Sequence, residues 1–341
     1  MIYILIGILA FVLALFAYPI SKSLGIRFKI IDSPDERKVH QNEIPRTGGL
    51  IFFAIFWLVA FLVHFIYPEV LPFALIAKIF IGSFIIFALG LLDDKFGLSP
   101  YIRLIGQIAV ALLLVYLGIR IDTLNIPLYA MLQINIFWSY FLTVFWIVLL
   151  INIINWLDGL DGLASGVSLV AFLAIIYTAF LPWVRSYDAA LLATLMVGVV
   201  LAFMPYNFIK GNLFMGDSGS NFLGYMIAVT SMLGAAKLAT SFLVLGLPIL
   251  DGAWVIIYRI RMHKNIFMPD KNHFHHRLLR LGLTKKQVVI VFWTIALVFG
   301  LLVFTASTKL KFLGLIVLIL ACLGFFIFLD IKEKRSRFER A

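Results

Sequence analysis

Apolar runs of membrane-spanning length dominate this chain and define its elements before any single residue is considered. A bilayer core about 30 Å thick is crossed by about 20 apolar residues in a helix. Eleven stretches approach that length, near 2–20, 48–66, 73–92, 104–119, 138–155, 163–181, 189–208, 221–235, 239–258, 287–305 and 312–330. The eighth is short. The pattern predicts an all-α, polytopic integral membrane protein of about eleven transmembrane helices in a single domain, with its two termini on opposite sides. The run from Ile2 to Ile20 has no positive residue ahead of it and is long enough to span, so it reads as a retained helix rather than a cleaved signal. Between the fourth and fifth runs, 120–137 combines turn residues with β-friendly apolar positions, which predicts a small hairpin.

Composition supports this reading and excludes a soluble domain. The 341 residues are 63% hydrophobic and only 13% charged, against about 25% charged in soluble globular proteins. The net charge of +11 could suggest a nucleic-acid partner. Its distribution points elsewhere. Of the 28 Lys and Arg residues, 22 fall in segments on one side of the eleven runs and five on the other, with Lys78 inside a run. That asymmetry is the positive-inside signal. It places the C-terminus and the loops 21–46, 93–103, 156–162, 209–220 and 259–286 in the cytoplasm, puts the N-terminus outside, and leaves no charge for nucleic acid to explain. The single cysteine, Cys322, excludes a disulfide within the chain and a cysteine-based metal site.

The polar clusters all fall on that same side. Asn152, Asn155, Asp158 and Asp161 recur every third residue in NIINWLDGLDG. Each such step drifts about 60° around an α-helix, so four of them fan through half a circle rather than line one face. A helix ending near Trp156, followed by a loop carrying Asp158 and Asp161, fits this spacing and the glycines at 159 and 162. Asp93 and Asp94 close the third run, and adjacent like charges there call for a cation or a proton unless both are simply solvated. Magnesium suits such a place, because it takes one or two carboxylates and completes its shell with water and phosphate oxygens. In FMGDSGSN, Asp217 lies between Gly216 and Gly219, which permit close backbone approach around a phosphate or metal. Phe214 nearby is either packing or a platform for a base. His273, His275, His276 and Arg277 lie in the longest basic loop, where Arg forks to phosphate and imidazoles donate. Zinc is disfavoured there, without cysteines and with two adjacent histidines that diverge. The first loop adds Asp35, Arg37 and Lys38. Taken together, these groups suit a magnesium-bound nucleotide diphosphate reacting with a membrane-borne partner, since phosphoryl transfer needs mainly positioning and charge neutralisation.

The motifs DSPDERKVH with PRTGG, LGLLDDKFG, NIINWLDGLDGLASG, FMGDSGS, PILDGAWV and DKNHFHHRLL occur in that order over nearly the whole chain. In this the sequence resembles the polyprenyl-phosphate N-acetylhexosamine-1-phosphate transferases. The His-x-His-His-Arg-Leu loop and Asp251 are similar to the branch that uses UDP-N-acetylglucosamine to initiate surface polysaccharides such as enterobacterial common antigen, O-antigen or wall teichoic acid. The resemblance implies a bacterial or archaeal cytoplasmic-membrane enzyme whose polyprenyl phosphate attacks the β-phosphorus of the UDP-sugar and releases UMP. It implies Mg2+ as cofactor, with Mn2+ as a substitute, and a homodimer as a state common in the family. By motif position, Asp217 is the principal magnesium ligand, with Asp93 and Asp94 near the metal and Asp93 orienting or deprotonating the lipid phosphate. Asn152, Asn155, Asp158 and Asp161 would contact the nucleotide, and Phe214 would stack on uracil. His273, His275, His276 and Arg277 would hold the diphosphate and sugar, assisted by Asp35, Arg37 and Lys38. The role of Asp251, a carboxylate inside a run, stays open between structure and function.

Three other readings compete. The phospho-MurNAc-pentapeptide transferases of peptidoglycan synthesis show contiguous histidines where this chain has Phe274 between them. An anion transporter would place charge within its spans and break helices near mid-membrane, whereas here only Lys78 and Asp251 lie inside. A phospholipid-forming alcohol transferase would need an arginine at Ser165 and further spaced aspartates that are missing.

Overall fold

A computed structural model gives the fold and describes residues 1–32, 43–125, 131–265, 270, 272–302 and 308–338. The chain is mostly helical. In order, α1 is Ile2–Arg27, α2 Gly48–Ile66, α3 Phe73–Phe96, α4 Pro100–Tyr116, α5 Ile136–Leu157, α6 Leu163–Ala179 and α7 Tyr187–Met204, which runs into a π-helical turn at Pro205–Ile209. Then follow α8 Gly216–Met232, α9 Ala235–Val244, α10 Gly246–Arg261, α11 Phe274–Arg280, α12 Lys285–Leu301 and α13 Thr308–Phe338. Two short antiparallel ladders complete it. Strand β1, Ile31–Asp32, pairs with β2, Ile44–Pro45, and β3, Thr123–Asn125, pairs with β4, Met131–Gln133, forming the hairpin expected between α4 and α5.

A helix lies over each of the eleven apolar stretches, and among the described residues five helices are long and apolar enough to cross a membrane alone: Ile2–Arg27, Gly48–Ile66, Phe73–Phe96, Ile136–Leu157 and Tyr187–Ile209. Local sequence marks their ends. Ser99 accepts from the Ile102 N–H with Pro100 at the first turn of α4, and Asn135 accepts from the Trp138 N–H at the start of α5. Thr284 and Gln287 form a reciprocal capping box on α12. The ninth stretch is not one straight helix: its two halves, Leu238–Val244 and Gly246–Arg261, meet at 72°. Pro248 has no N–H to return to the Val244 carbonyl, and Gly246 at the joint adds freedom, which accounts for the break.

Helix α8 is the centre of the bundle. Every residue from Ser218 to Met232 is buried, beneath α2, α3, α5 and α7. Lipid offers little hydrophobic drive between helices, so close packing and interhelical hydrogen bonds must hold them, each bond contributing about 0.6 kcal/mol. The Tyr225 hydroxyl of α8 donates to the Ile79 carbonyl at 3.0 Å, Trp146 Nε1 of α5 donates to Ser231 Oγ at 2.9 Å, and the Tyr18 hydroxyl of α1 donates to the Val199 carbonyl at 3.1 Å. Gly90 brings α3 against the start of α8, since a Cβ there would lie 2.6 Å from Ser218 N and Cα. That close approach delivers Asp93 and Asp94 to the first turn of α8.

Candidate active site

The site forms where α3 and α5 end and α8 begins. Successive residues on a helix project about 100° apart, so Asp93 and Asp94 diverge and take separate partners. Asp94 turns to α8: its Oδ1 accepts from the Asp217 N–H at 2.7 Å and its Oδ2 from the Ser218 N–H at 2.9 Å. It thus caps α8 from another helix, where a negative charge meets unpaired N–H groups. Gly216, at φ +73°, makes room, since a Cβ there would sit 2.6 Å from Asp94 Oδ2. Asp93 turns away. It accepts from the Leu98 N–H at 2.7 Å and from Arg103 Nη1 at 2.9 Å, and the same Nη1 lies 4.0 Å from Asp217 Oδ1. The two carboxylates are therefore separated by geometry and by different donors.

Asn155 Nδ2 donates to Asp217 Oδ1 and, at 3.0 Å, to Ser220 Oγ. Asn152, one turn earlier on α5, donates instead to Gln107 Oε1 of α4 at 2.6 Å. Helix α5 ends at Leu157, and Asp158 and Asp161 follow in the turn before Gly162, which adopts φ +86°. That turn is tied down from two sides. Asn207, in the π-turn, accepts from the Gly162 N–H at 2.7 Å and donates to the Leu213 carbonyl at 3.1 Å, while Trp293 Nε1 donates to the Gly162 carbonyl at 3.0 Å. Asp161 faces Gly211 across this junction. Phe214 pairs through its backbone with Pro45 and Gly48, bracing its loop against the start of α2.

The histidines come in from α10 and α11. Asp251 of α10 accepts from His273 Nδ1 at 3.0 Å and from the Phe274 N–H at 2.8 Å. His273 lies between Trp156 and His275, and His275 presents Nε2 toward Gly159. Burial, followed by the neighbouring His276 and His273, pushes the His275 imidazole well below its usual value, so it acts near neutrality as a hydrogen-bonding group without charge. Arg277 is buried. Arg259 of α10 pairs with Asp270. Burial would raise the Asp270 carboxyl, but the Arg259 hydrogen bond, the Asn272 N–H and the nearby charges outweigh it and hold it low.

A cavity of about 930 Å³ opens between α4, α5 and α10. Its polar end carries Arg103, Asn152, Asn155, Asp158, Asp270, His273, His275 and His276. Its other end is apolar, with Leu104, Ile108, Leu112, Phe141, Phe145 and Val148. Asp93 and Asp217 stand directly behind that wall, linked to it by Arg103 and Asn155. Asp94, Asp161, Phe214 and Arg277 are not part of the wall, and Asp35, Arg37 and Lys38 lie outside the described residues. Two residues that sequence reasoning passed over belong here. Arg103 stood in the sequence only as one more basic residue, although its place one turn into α4 puts it within reach of the end of α3. Asn207 had as its signal a lone amide at the end of an apolar run.

The donor set suits a divalent cation. Among the described residues no three of His, Cys, Asp or Glu converge as a ready-made cage, but magnesium needs only one or two carboxylates. Asp217 Oδ1 is engaged by Asn155, and no described donor bonds Oδ2. Carboxylates also crowd one another here: desolvation, then the carboxylates of Asp217, Asp94 and Asp161, push the Asp158 carboxyl well above its usual range. A group whose folded value is raised contributes stability that is fully present below its unfolded value, about 3.9, and lost as pH rises through the folded value. Chelated protein is therefore expected to melt at progressively lower temperature as pH rises from about 4 toward neutrality, with Mg2+ restoring part of the loss. A melting temperature insensitive to both would remove the charge argument.

Comparison with known proteins finds relatives over most of the chain. Residues 76–235 match the family model for glycosyl transferase family 4. The chain is 36% identical over 310 residues to a probable undecaprenyl-phosphate N-acetylglucosaminyl 1-phosphate transferase of Bacillus subtilis, covering 88% of this chain and 84% of the relative. It is 33% identical to a decaprenyl-phosphate N-acetylglucosaminephosphotransferase of Mycobacterium tuberculosis, over 90% of this chain and 82% of the relative. An undecaprenyl-phosphate alpha-N-acetylglucosaminyl 1-phosphate transferase of Haemophilus influenzae is 31% identical, over 83% and 79%.

Proposed function

The chain belongs to glycosyl transferase family 4, among the polyprenyl-phosphate N-acetylglucosamine-1-phosphate transferases, and from that membership we propose that it transfers N-acetylglucosamine 1-phosphate from UDP-N-acetylglucosamine to a polyprenyl phosphate. The observation that carries this reading is the two-ended cavity, polar beside Asp217 and apolar along α4 and α5. An amphiphile with a phosphate head and a prenyl tail matches both ends at once. A phosphate oxygen of the lipid forms a bond to the β-phosphorus, and the bond from that phosphorus to the bridging oxygen breaks. UMP leaves with the bridging oxygen. The lipid phosphate is already a competent nucleophile, so attack is direct, with no enzyme-bound intermediate.

The chain's own residues bind, orient and neutralise. Asp217 would hold Mg2+, for which Mn2+ could substitute, and the metal when bound would supply charge neutralisation on the diphosphate. Asn155 fixes the Asp217 carboxylate and Asp94 fixes the backbone beneath it, which supports a precise placement of that ligand. Arg103 faces the cavity and offers its fork to a phosphate, and its bond to Asp93 supports the view that Asp93 orients this guanidinium beside the lipid phosphate. Asp158 and Asn152 meet the nucleotide, and His273, His275 and His276 meet the sugar diphosphate, assisted by Asp35, Arg37 and Lys38. The distribution of Lys and Arg supports eleven spans with this end of the bundle in the cytoplasm.

The reading is tested by offering purified protein Mg2+, polyprenyl phosphate and a panel of UDP-sugars. UMP release is expected with UDP-N-acetylglucosamine and only when the lipid is present. A preference for UDP-MurNAc-pentapeptide would move the chain to the peptidoglycan branch. The groove has its own test in Ile108→Trp, which overfills the apolar end. At 1–3 kcal/mol of overpacking, the KM for polyprenyl phosphate should rise about tenfold while that for UDP-N-acetylglucosamine stays put. Equal changes in both would detach the groove from the lipid.

A further inference from the structure

Asp251 is a carboxylate 3% exposed in α10, where a charged side chain is costly and needs a reason. Both of its oxygens are used. One accepts from the Phe274 N–H, the first of α11, at 2.8 Å, and the other from His273 Nδ1 at 3.0 Å. Asp251 accepts from both donors when the His273 proton sits on Nδ1, an arrangement that leaves Nε2 as the nitrogen for a ligand. His273 lines the cavity. Its ring lies 5.7 Å from Trp156 and 5.8 Å from His275, nearly parallel to the latter at 8°, and His276 follows at 4.3 Å from His275. Of the three rings, the carboxylate holds that of His273 directly.

We infer that Asp251 is a positioning residue of the transferase, fixing the tautomer and ring orientation of His273 and the start of α11 so that His273 Nε2, left as an acceptor, is presented to a hydroxyl of the sugar. This rests on the transferase reading above. The cap on Phe274 alone could be made by any short polar acceptor. Aligning two donors at once, with the imidazole proton drawn toward α10, takes the second carboxylate oxygen. Asp251→Asn keeps the size but has one oxygen for two donors. Either the Phe274 N–H loses its acceptor or an amide N–H faces Nδ1, which moves the His273 proton to Nε2 and reverses what the cavity meets.

The test is a double-mutant cycle read as kcat/KM for UDP-N-acetylglucosamine. Asp251→Asn and His273→Ala should each lower it tenfold or more. The double variant should fall no more than about twofold below His273→Ala, because the carboxylate acts through the ring. Losses that multiply would show that Asp251 serves the fold alone and would overturn the inference. A second measurement does not depend on the Asp251 variant folding. In protein labelled with 15N-histidine, with His273 assigned by its absence from His273→Ala, Nδ1 should carry the proton, and a bare Nδ1 would equally overturn the inference. Wild-type protein that releases no UMP would instead count against the transferase reading, and the 15N spectrum would still decide the Asp251–His273 geometry.

Discussion

Asp217→Asn is expected to lower UMP release about 10³-fold, the scale for removing a group that stabilises developing charge in a water-poor site, while leaving insertion and unfolding close to wild type. The asymmetry follows from its contacts. Asparagine keeps an oxygen to accept from Asn155, and the α8 N–H groups are capped by Asp94 rather than by Asp217. Folding therefore loses only a charge near a helix N-terminus, about 0.3–1 kcal/mol. What is lost functionally is the carboxylate oxygen to which no described donor bonds. The check is steady-state UMP release beside a thermal unfolding curve in the same detergent. Turnover within tenfold of wild type would remove Asp217 from the metal site.

Asp94→Ala should fail in both measurements. It deprives the Asp217 and Ser218 N–H groups of their acceptor, 123 residues away in the chain. Leaving a buried donor unsatisfied costs about 1–3 kcal/mol, so for the two N–H groups a loss of about 2–4 kcal/mol is expected. Activity should fall with it, because the first turn of α8 carries Asp217. Asp94→Asn, with one acceptor instead of two, should lie between. An Asp94→Ala protein that melts like wild type but is inactive would make Asp94 a metal ligand first and a cap second.

The contrast shows what could be read from the chain alone. Apolar runs of about 20 residues have few alternatives, so a helix lies over each of them, and the glycines at 159 and 162 announce the turn after α5. The 72° break is not legible in the sequence, because a proline one turn into a helix is ordinary and does not by itself mark a change of axis. The acidic residues were found as residues but not as partners. Nothing local distinguishes Asp93, which holds Arg103, from Asp94, which caps α8, because those contacts are made between helices. Asp251 was ambiguous for the same reason: its meaning depends on His273 and Phe274 arriving from the far side of a loop. Phe214 is held through its backbone to Pro45 and Gly48, and neither it nor Arg277 lines the cavity.

The central claim is that a lipid phosphate displaces UMP at the β-phosphorus in the cavity beside Asp217. UDP-N-acetylglucosamine carrying a 32P label at the β-position and a 3H label in uridine tests it directly, with purified protein, polyprenyl phosphate and Mg2+. The β-label should pass to the lipid fraction in step with 3H-UMP, one for one. Retention of both labels in UDP, with free sugar or glycosylated lipid as product, would contradict the account.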